Sequence, residues 1–126
     1  MKKYIYISSN KKIGYKCREW ASSNIPKGFQ IVDDHNICDL FFSVKYDKIL
    51  KPEFLESRRC YNFHPNILPN YAGVGTLTHS ILNREEYVGV TLHKINNGLD
   101  TGDIIEVIKI KISKNDTAHS LFLKTD

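Results

Sequence analysis

The stretch Asp39-Leu40-Phe41-Phe42-Ser43-Val44 restricts the fold more than any other part of this chain. It is a nearly continuous apolar run of strand length. A strand with one face in water alternates apolar and polar residues, whereas a strand covered on both faces does not. Residues 39–44 therefore read as a buried strand of a parallel sheet. Their neighbours agree. Residues 3–8 alternate and are rich in Tyr and Ile, which predicts a first strand. Ser9-Asn10 offers a cap, and residues 11–22 carry Ile13, Tyr15, Cys17 and Trp20 at near-helical spacing. A turn around Pro26 leads to a short strand over 29–32, and 33–36 is a polar loop.

The second half continues the alternation. Residues 53–57 form a short helix, 60–64 a strand, 65–74 a loop and 75–83 a helix. Strands over 87–95 and 103–112, joined by a Gly-containing loop at 96–102, predict a hairpin. Asp116 or Thr117 caps a last helix over 118–124. Strands alternating with helices specify an α/β domain with a mostly parallel sheet, and the late β-hairpin makes the sheet mixed. With 126 residues, one domain spanning 1–126 is expected.

Composition removes several classes. No apolar run approaches the roughly 20 residues needed to cross a bilayer, so no membrane partner is expected. The start Met1-Lys2-Lys3 is basic, but the residues after it are too few and too polar for a signal-peptide core, and the cytoplasm is the expected location. The net charge of +4 is spread without blocks of like charge, which suits an anionic small molecule or a weak interaction with nucleic acid, and a solvated surface with a slight bias is the plainer reading; no nucleic-acid partner is expected. Cys17, Cys38 and Cys60 are widely spaced, with no Cys-x-x-Cys, no His-Glu-x-x-His and no zinc-like cluster. No metal is expected, and the three thiols read as small packed hydrophobes.

The chemistry concentrates in Tyr61-Asn62-Phe63-His64-Pro65-Asn66-Ile67-Leu68-Pro69. Alternate residues of a strand share a face, so Asn62 and His64 point together and Phe63 points away. Pro65 cannot donate to the ladder and ends the strand. The pair is thereby left at a carboxyl strand end, the edge where open α/β sheets bind ligands. An Asn amide is a neutral donor suited to a developing oxyanion, and imidazole relays protons near neutral pH. A turn role for Asn62 and a satisfied core role for His64 are the plainer account of the same two residues. Further on, Asn96-Asn97-Gly98-Leu99-Asp100-Thr101-Gly102 sets Asp100 in the hairpin loop, where a carboxylate would orient His64 and favour its charged form. Ordinary turn chemistry is the plainer account of that loop.

Together, "NFHPNILPNYAGVGTLTHSILN" and "GVTLHKINNGLDTGDII" resemble the core of the 10-formyltetrahydrofolate-dependent formyltransferases. That family includes the methionyl-tRNA, glycinamide ribonucleotide and sugar N-formyltransferases. The resemblance runs from about Asp39 to Asp116 and implies a Rossmann-like sheet flanked by helices. It implies that Asn62, His64 and Asp100 are the catalytic trio of a folate-dependent N-formyltransferase. The donor would be 10-formyltetrahydrofolate, with Lys48, Ile49 and Leu50 of "DKILKPEF" lining its pocket and Asn96, Asn97, Gly98 and Leu99 meeting its pterin ring. Ile49 and Leu50 also read as ordinary core residues.

The resemblance is greatest to the sugar N-formyltransferases, which implies a nucleotide-linked amino sugar as acceptor and a homodimer as assembly. Glycinamide ribonucleotide is the runner-up acceptor, and a shortened, non-catalytic folate-binding or interaction module is the reading from another class. Asn66 stands where the family often has Ser, and it can still hydrogen-bond. Family catalytic domains are longer than this chain. The segment before Asn62 is short by about one strand–helix unit, and the last helix ends where the family continues. A compact variant, a fragment truncated at the C-terminus and a remnant with reduced activity all fit that length. His79 and His93 are candidate acceptor contacts, and Tyr46 and Tyr71 candidate stacking residues, against the plainer reading that all four are structural.

Overall fold

The computed structural model describes residues 2–8, 11–46, 48–73, 75–96 and 101–125. Its strands are β1 (Lys3–Ile7), β2 (Phe29–Ile31), β3 (Leu40–Val44), β4 (Arg59–His64), β5 (Tyr87–Lys94) and β6 (Ile104–Lys111). Its helices are α1 (Lys12–Asn24), α2 (Pro52–Ser57), α3 (Thr76–Leu82) and α4 (Ala118–Lys124). The strands form one mixed, mostly parallel sheet in the order β2-β1-β3-β4-β5-β6, as the strand–helix alternation predicts. By internal contacts the chain divides into two compact units, residues 1–62 and 63–126.

In the first unit β1 pairs in parallel with β2 on one side and β3 on the other. The β3 run has Phe41, Ser43 and Val44 buried and Leu40 and Phe42 half-buried, so both of its faces are covered. Phe41 is fully enclosed. Tyr6 stacks on it at 5.3 Å, while Phe54 of α2 and Tyr46 meet it edge-on at 5.4 and 5.5 Å. Such offset and edge contacts add to the area an aromatic ring buries. Arg58 then covers Phe54, with its guanidinium carbon 4.2 Å from the ring centroid, and donates to the carbonyls of Cys38 and Asn36. Burial pushes the Cys60 thiol up to about 11 and raises Cys38 as well, so both stay protonated and pack as small hydrophobes.

Two sequence expectations change here. The helix at 11–22 forms, but its inward face is different. Gly14 is buried, whereas Tyr15 and Trp20 are 57% and 68% exposed. Arg18 sets that face by donating to the Val32 carbonyl at 2.9 Å and pairing with the Asp33 carboxylate. Lys11 holds the N-cap position without a side-chain cap bond, and the expected Ser9-Asn10 cap lies outside the described residues. The polar loop at 33–36 instead runs into a 3₁₀ turn, His35–Ile37, because the Asp34 carboxylate accepts the Asn36 N–H at 2.9 Å.

The second unit is built on the predicted hairpin. β5 and β6 pair antiparallel from Tyr87↔Lys111 to His93↔Ile104, with an irregularity between Leu92 and His93. The pair leaves no room for a side chain at Gly89, where a Cβ would collide with the Ile108 carbonyl and touch Ile67. Leu77 of α3, Val88 of β5 and Leu121 of α4 form the core, lined by Ile81, Ile110 and Ile112. Thr117 caps α4 in a reciprocal box with Ser120. Asp116 beside it accepts from the Lys124 ammonium, the Ser120 hydroxyl and the Ser113 amide. Those donors hold its carboxyl down at about 2.

Candidate active site

β4 carries Asn62 and His64 two residues apart at its carboxyl end, and Pro65 follows at once. The period of a strand gives the two side chains a common face. Asn62 is half-buried and His64 is 3% exposed. A buried imidazole needs hydrogen-bond partners. The His64 ring donates from Nε2 to the Tyr71 carbonyl at 2.5 Å. A carbonyl only accepts, so this bond requires the proton to sit on Nε2.

The loop over residues 65–71 is therefore part of the site. It contains the cis peptide between Leu68 and Pro69. Asn66 is fully buried and bonds on every side. Its amide N–H donates to the His64 carbonyl at 2.9 Å, and its Nδ2 donates to the Ser80 hydroxyl at 2.8 Å. The Ile67 N–H donates to Asn66 Oδ1 at 2.8 Å. Thr91 of β5 reaches the loop twice. Its hydroxyl donates to the Asn66 carbonyl at 2.7 Å and accepts the Leu68 N–H at 3.2 Å. The Tyr71 N–H donates to the Ile67 carbonyl, and the Tyr71 hydroxyl donates to the Glu85 carboxylate at 2.8 Å. Among the described residues no buried side-chain nitrogen or oxygen lacks a partner.

The other sequence-derived positions fare differently. Lys48 is exposed, Ile49 is 97% exposed and Leu50 is half-buried, all in the first unit. Ile49 is therefore no core residue, which overturns the ordinary reading of that side chain. Asn96 accepts the Thr101 hydroxyl on its Oδ1 at 2.9 Å, which joins the two sides of the hairpin loop. A Cβ at Gly102 would run into the Lys94 carbonyl, so the strands close tightly just before that loop. Asn97, Gly98, Leu99 and the expected catalytic Asp100 lie outside the described residues.

His79 is exposed on α3. His93 is buried and donates from Nδ1 to the Lys94 carbonyl at 2.9 Å, a structural partner. Tyr71 is tied to Glu85, and Tyr46 packs on Phe41. Sequence reasoning did not single out Thr91 or Ser80. The signal for Thr91 was present in the β5 alternation, where a polar residue falls on the inward side between Gly89 and His93.

Among the described residues no group of three or more His, Cys, Asp or Glu side chains is placed to hold a metal ion. No helix among them is long and apolar enough to cross a membrane. The arrangement offers an amide and an oriented imidazole on one strand end, which suits stabilisation of a carbonyl-derived oxyanion and transfer of a proton.

Comparison with known proteins gives this chemistry a context. Residues 12–126 match the formyl transferase family model. Methionyl-tRNA formyltransferase of Prochlorococcus marinus (strain MIT 9312) is 42% identical over 86 residues, 67% of this chain and 26% of that protein. The chain thus spans about a quarter of the length of the curated relatives it matches. The crystal structure of an N-formyltransferase from Helicobacter canadensis, in complex with folinic acid and dTDP-3-aminofucose, is 29% identical with a TM-score of 0.75. That likeness covers 98% of this chain and 58% of the other. A formyltransferase from Anoxybacillus kamchatkensis, in complex with UDP-4,6-dideoxy-4-formamido-L-AltNAc and tetrahydrofolate, is 26% identical. Its TM-score is 0.74, over 97% of this chain and 67% of that one.

Proposed function

The chain belongs to the formyl transferase family, and from that premise we propose that it moves a formyl group from 10-formyltetrahydrofolate to the amine of a nucleotide-linked amino sugar. The observation that carries this reading is the Asn62–His64 pair at the proline-terminated end of β4, with the imidazole anchored to the Tyr71 carbonyl. The solved relatives holding folates together with an amino-sugar or formamido-sugar nucleotide support the acceptor class.

The donor supplies a formyl carbon already bonded to nitrogen, and the protein supplies alignment. The amine nitrogen bonds to that carbon while the carbonyl oxygen gains charge. Asn62 donates its amide to this oxygen, and His64 stabilises it from the same face. Asp100 supports the charged imidazole and takes the amine proton, directly or through water. The bond from carbon to the folate N10 then breaks, and N10 receives the proton. Much of the rate comes from holding two substrates in line and from fixed dipoles. Lys48, Ile49, Leu50, Asn96, Asn97, Gly98 and Leu99 hold the donor. The enzyme works in the cytoplasm as a homodimer.

A second acceptor reading has support of its own, because the curated relatives are methionyl-tRNA formyltransferases. Glycinamide ribonucleotide is a third. A panel decides among them: dTDP- and UDP-linked 3-amino and 4-amino sugars, glycinamide ribonucleotide and methionyl-tRNA, each with 10-formyltetrahydrofolate, followed by release of tetrahydrofolate. Turnover is expected on one sugar nucleotide, and His64→Ala lowers it by about 10²–10⁴-fold. Turnover on methionyl-tRNA alone would overturn the acceptor. Folate binding without transfer to any amine would favour a non-catalytic module.

A further inference from the structure

We propose that the outer face of α1 is a docking surface for an anionic lipid bilayer, on which the chain rests as a peripheral protein, independently of the formyl-transfer chemistry.

Positive charge is unevenly placed along the chain. Residues 1–62 carry 12 Lys and Arg against 7 Asp and Glu, whereas residues 63–126 carry 6 against 7. The excess gathers at α1. Lys11, Lys12, Lys16 and Lys27 are all exposed, and Glu19 is the one acid in residues 11–28. A helix brings residues three and four apart onto one side, so Lys12, Tyr15, Lys16, Glu19, Trp20 and Ser23 share a stripe. All six are exposed, Tyr15 by 57% and Trp20 by 68%. The buried Gly14 marks the opposite side of the helix.

Within α1 this stripe is unfavourable on three counts. Lys12 and Lys16 are like charges one turn apart, and Glu19 offsets only one of them. The first turn holds no acid and the N-cap side chain makes no cap bond, so the cations stand at the positive end of the helix dipole. Two large aromatic rings remain in water besides. A negatively charged surface of intermediate polarity relieves all three.

The residue types select the kind of surface. Trp and Tyr collect at membrane–water boundaries, where the ring is in apolar surroundings and its N–H or O–H stays wet. Lys extends an apolar stem beside them and sets its ammonium among headgroup phosphates. Arginine grips phosphate in a fork and stacks on bases, which makes it the residue of choice for nucleic acid. The one arginine of α1 is turned instead onto the Val32 carbonyl and the Asp33 carboxylate. A contact of this kind needs no spanning segment, and no helix among the described residues supplies one.

Trp20 is the only tryptophan in the chain, so its fluorescence reports on this face alone. The full chain is titrated at low salt with vesicles of phosphatidylglycerol and phosphatidylcholine in equal parts, and with vesicles of phosphatidylcholine alone. The anionic vesicles should move Trp20 emission to the blue and shield the ring from acrylamide. The neutral vesicles should bind at least about tenfold more weakly. Salt at about 1 M, where the screening length is about 3 Å, should release the protein.

Lys12→Gln combined with Lys16→Gln should weaken binding to the anionic vesicles about 30-fold. Both side chains stand in water, so the fold is kept, which circular dichroism checks. Lys109→Gln with Lys111→Gln removes the same charge from β6 and should leave binding within twofold. An absent shift, equal binding to neutral vesicles or an equal loss from the β6 pair would overturn the proposal. A blue shift that grows with protein concentration without lipid would assign the face to a second copy and overturn it too. So would tighter binding of an unstructured RNA oligonucleotide than of the vesicles at the same salt. Failure of formyl transfer to every amine would leave this surface untouched.

Discussion

The segments that follow β3 and β4 make an instructive pair, because each adjoins residues proposed for donor binding or for catalysis. After β4, residues 65–71 are pinned by hydrogen bonds from β5, α3 and their own backbone, with Asn66 fully buried. After β3, Lys45 adopts a left-handed backbone with φ of 51°, Lys48 is exposed and Ile49 stands 97% in solvent. The difference matches the tasks proposed for them. A catalytic imidazole must be held within a fraction of an ångström, so its surroundings are finished before substrate arrives. A side chain meant to meet a ligand's apolar surface gains its burial from that ligand.

Three changes bear on this contrast, in falling order of effect. Ser80→Ala attacks the finished side. It leaves the buried Asn66 Nδ2 without its acceptor, and a buried unsatisfied group costs about 1–3 kcal/mol. Urea unfolding should show that loss, and an unchanged midpoint would mean the corner is not held as described. Ile49→Ser attacks the open side. Stability should move by less than about 0.5 kcal/mol, as for surface changes elsewhere. Donor affinity should fall about 10- to 100-fold, since enclosing an Ile side chain is worth about 1.5–3 kcal/mol. Titration of folate fluorescence reads this, and unaltered affinity would remove Ile49 from the donor site.

Asp116→Asn gives the smallest effect and separates order made by burial from order made by charge. The carboxyl of Asp116 is lowered to about 2, first by its bond to Lys124 and then by Ser120 and Ser113. A depressed carboxyl contributes stability above its ordinary value of 3.8 and loses it as pH falls toward 2. The variant should melt slightly below the parent at pH 7, and the gap should close in acid. A gap that persists at pH 2 would show that the amide disrupts α4 for another reason.

Much of this was legible in the sequence. The β3 run announced burial on both faces, the alternation over 87–95 and 103–112 announced a strand pair, and α4 begins and ends where its pattern does, capped by Thr117, one of the two caps expected. The Asn62–His64 pairing follows from the period of a strand alone. The α1 face was misread because Arg18 finds Asp33 and Val32 across a distance in sequence that no local periodicity reports, which leaves Tyr15 and Trp20 outward. The Thr91–Asn66 bond is hidden for the same reason, with 25 residues between its partners. Asn66 was read as a residue able to hydrogen-bond, and it does so through its side chain and its backbone.

Gly89 carries a consequence for how this chain can drift over generations. Every single-base change in a glycine codon that replaces glycine with another amino acid yields one with a Cβ. At Gly89 any such atom enters the Ile108 carbonyl, an immovable part of the β5–β6 ladder. Gly28 and Gly75 have open space around them and are limited only by their positive φ of 94° and 69°, which Asn or Asp tolerates in part. Lineages descending from this sequence have other residues to explore at those two turns and none at Gly89.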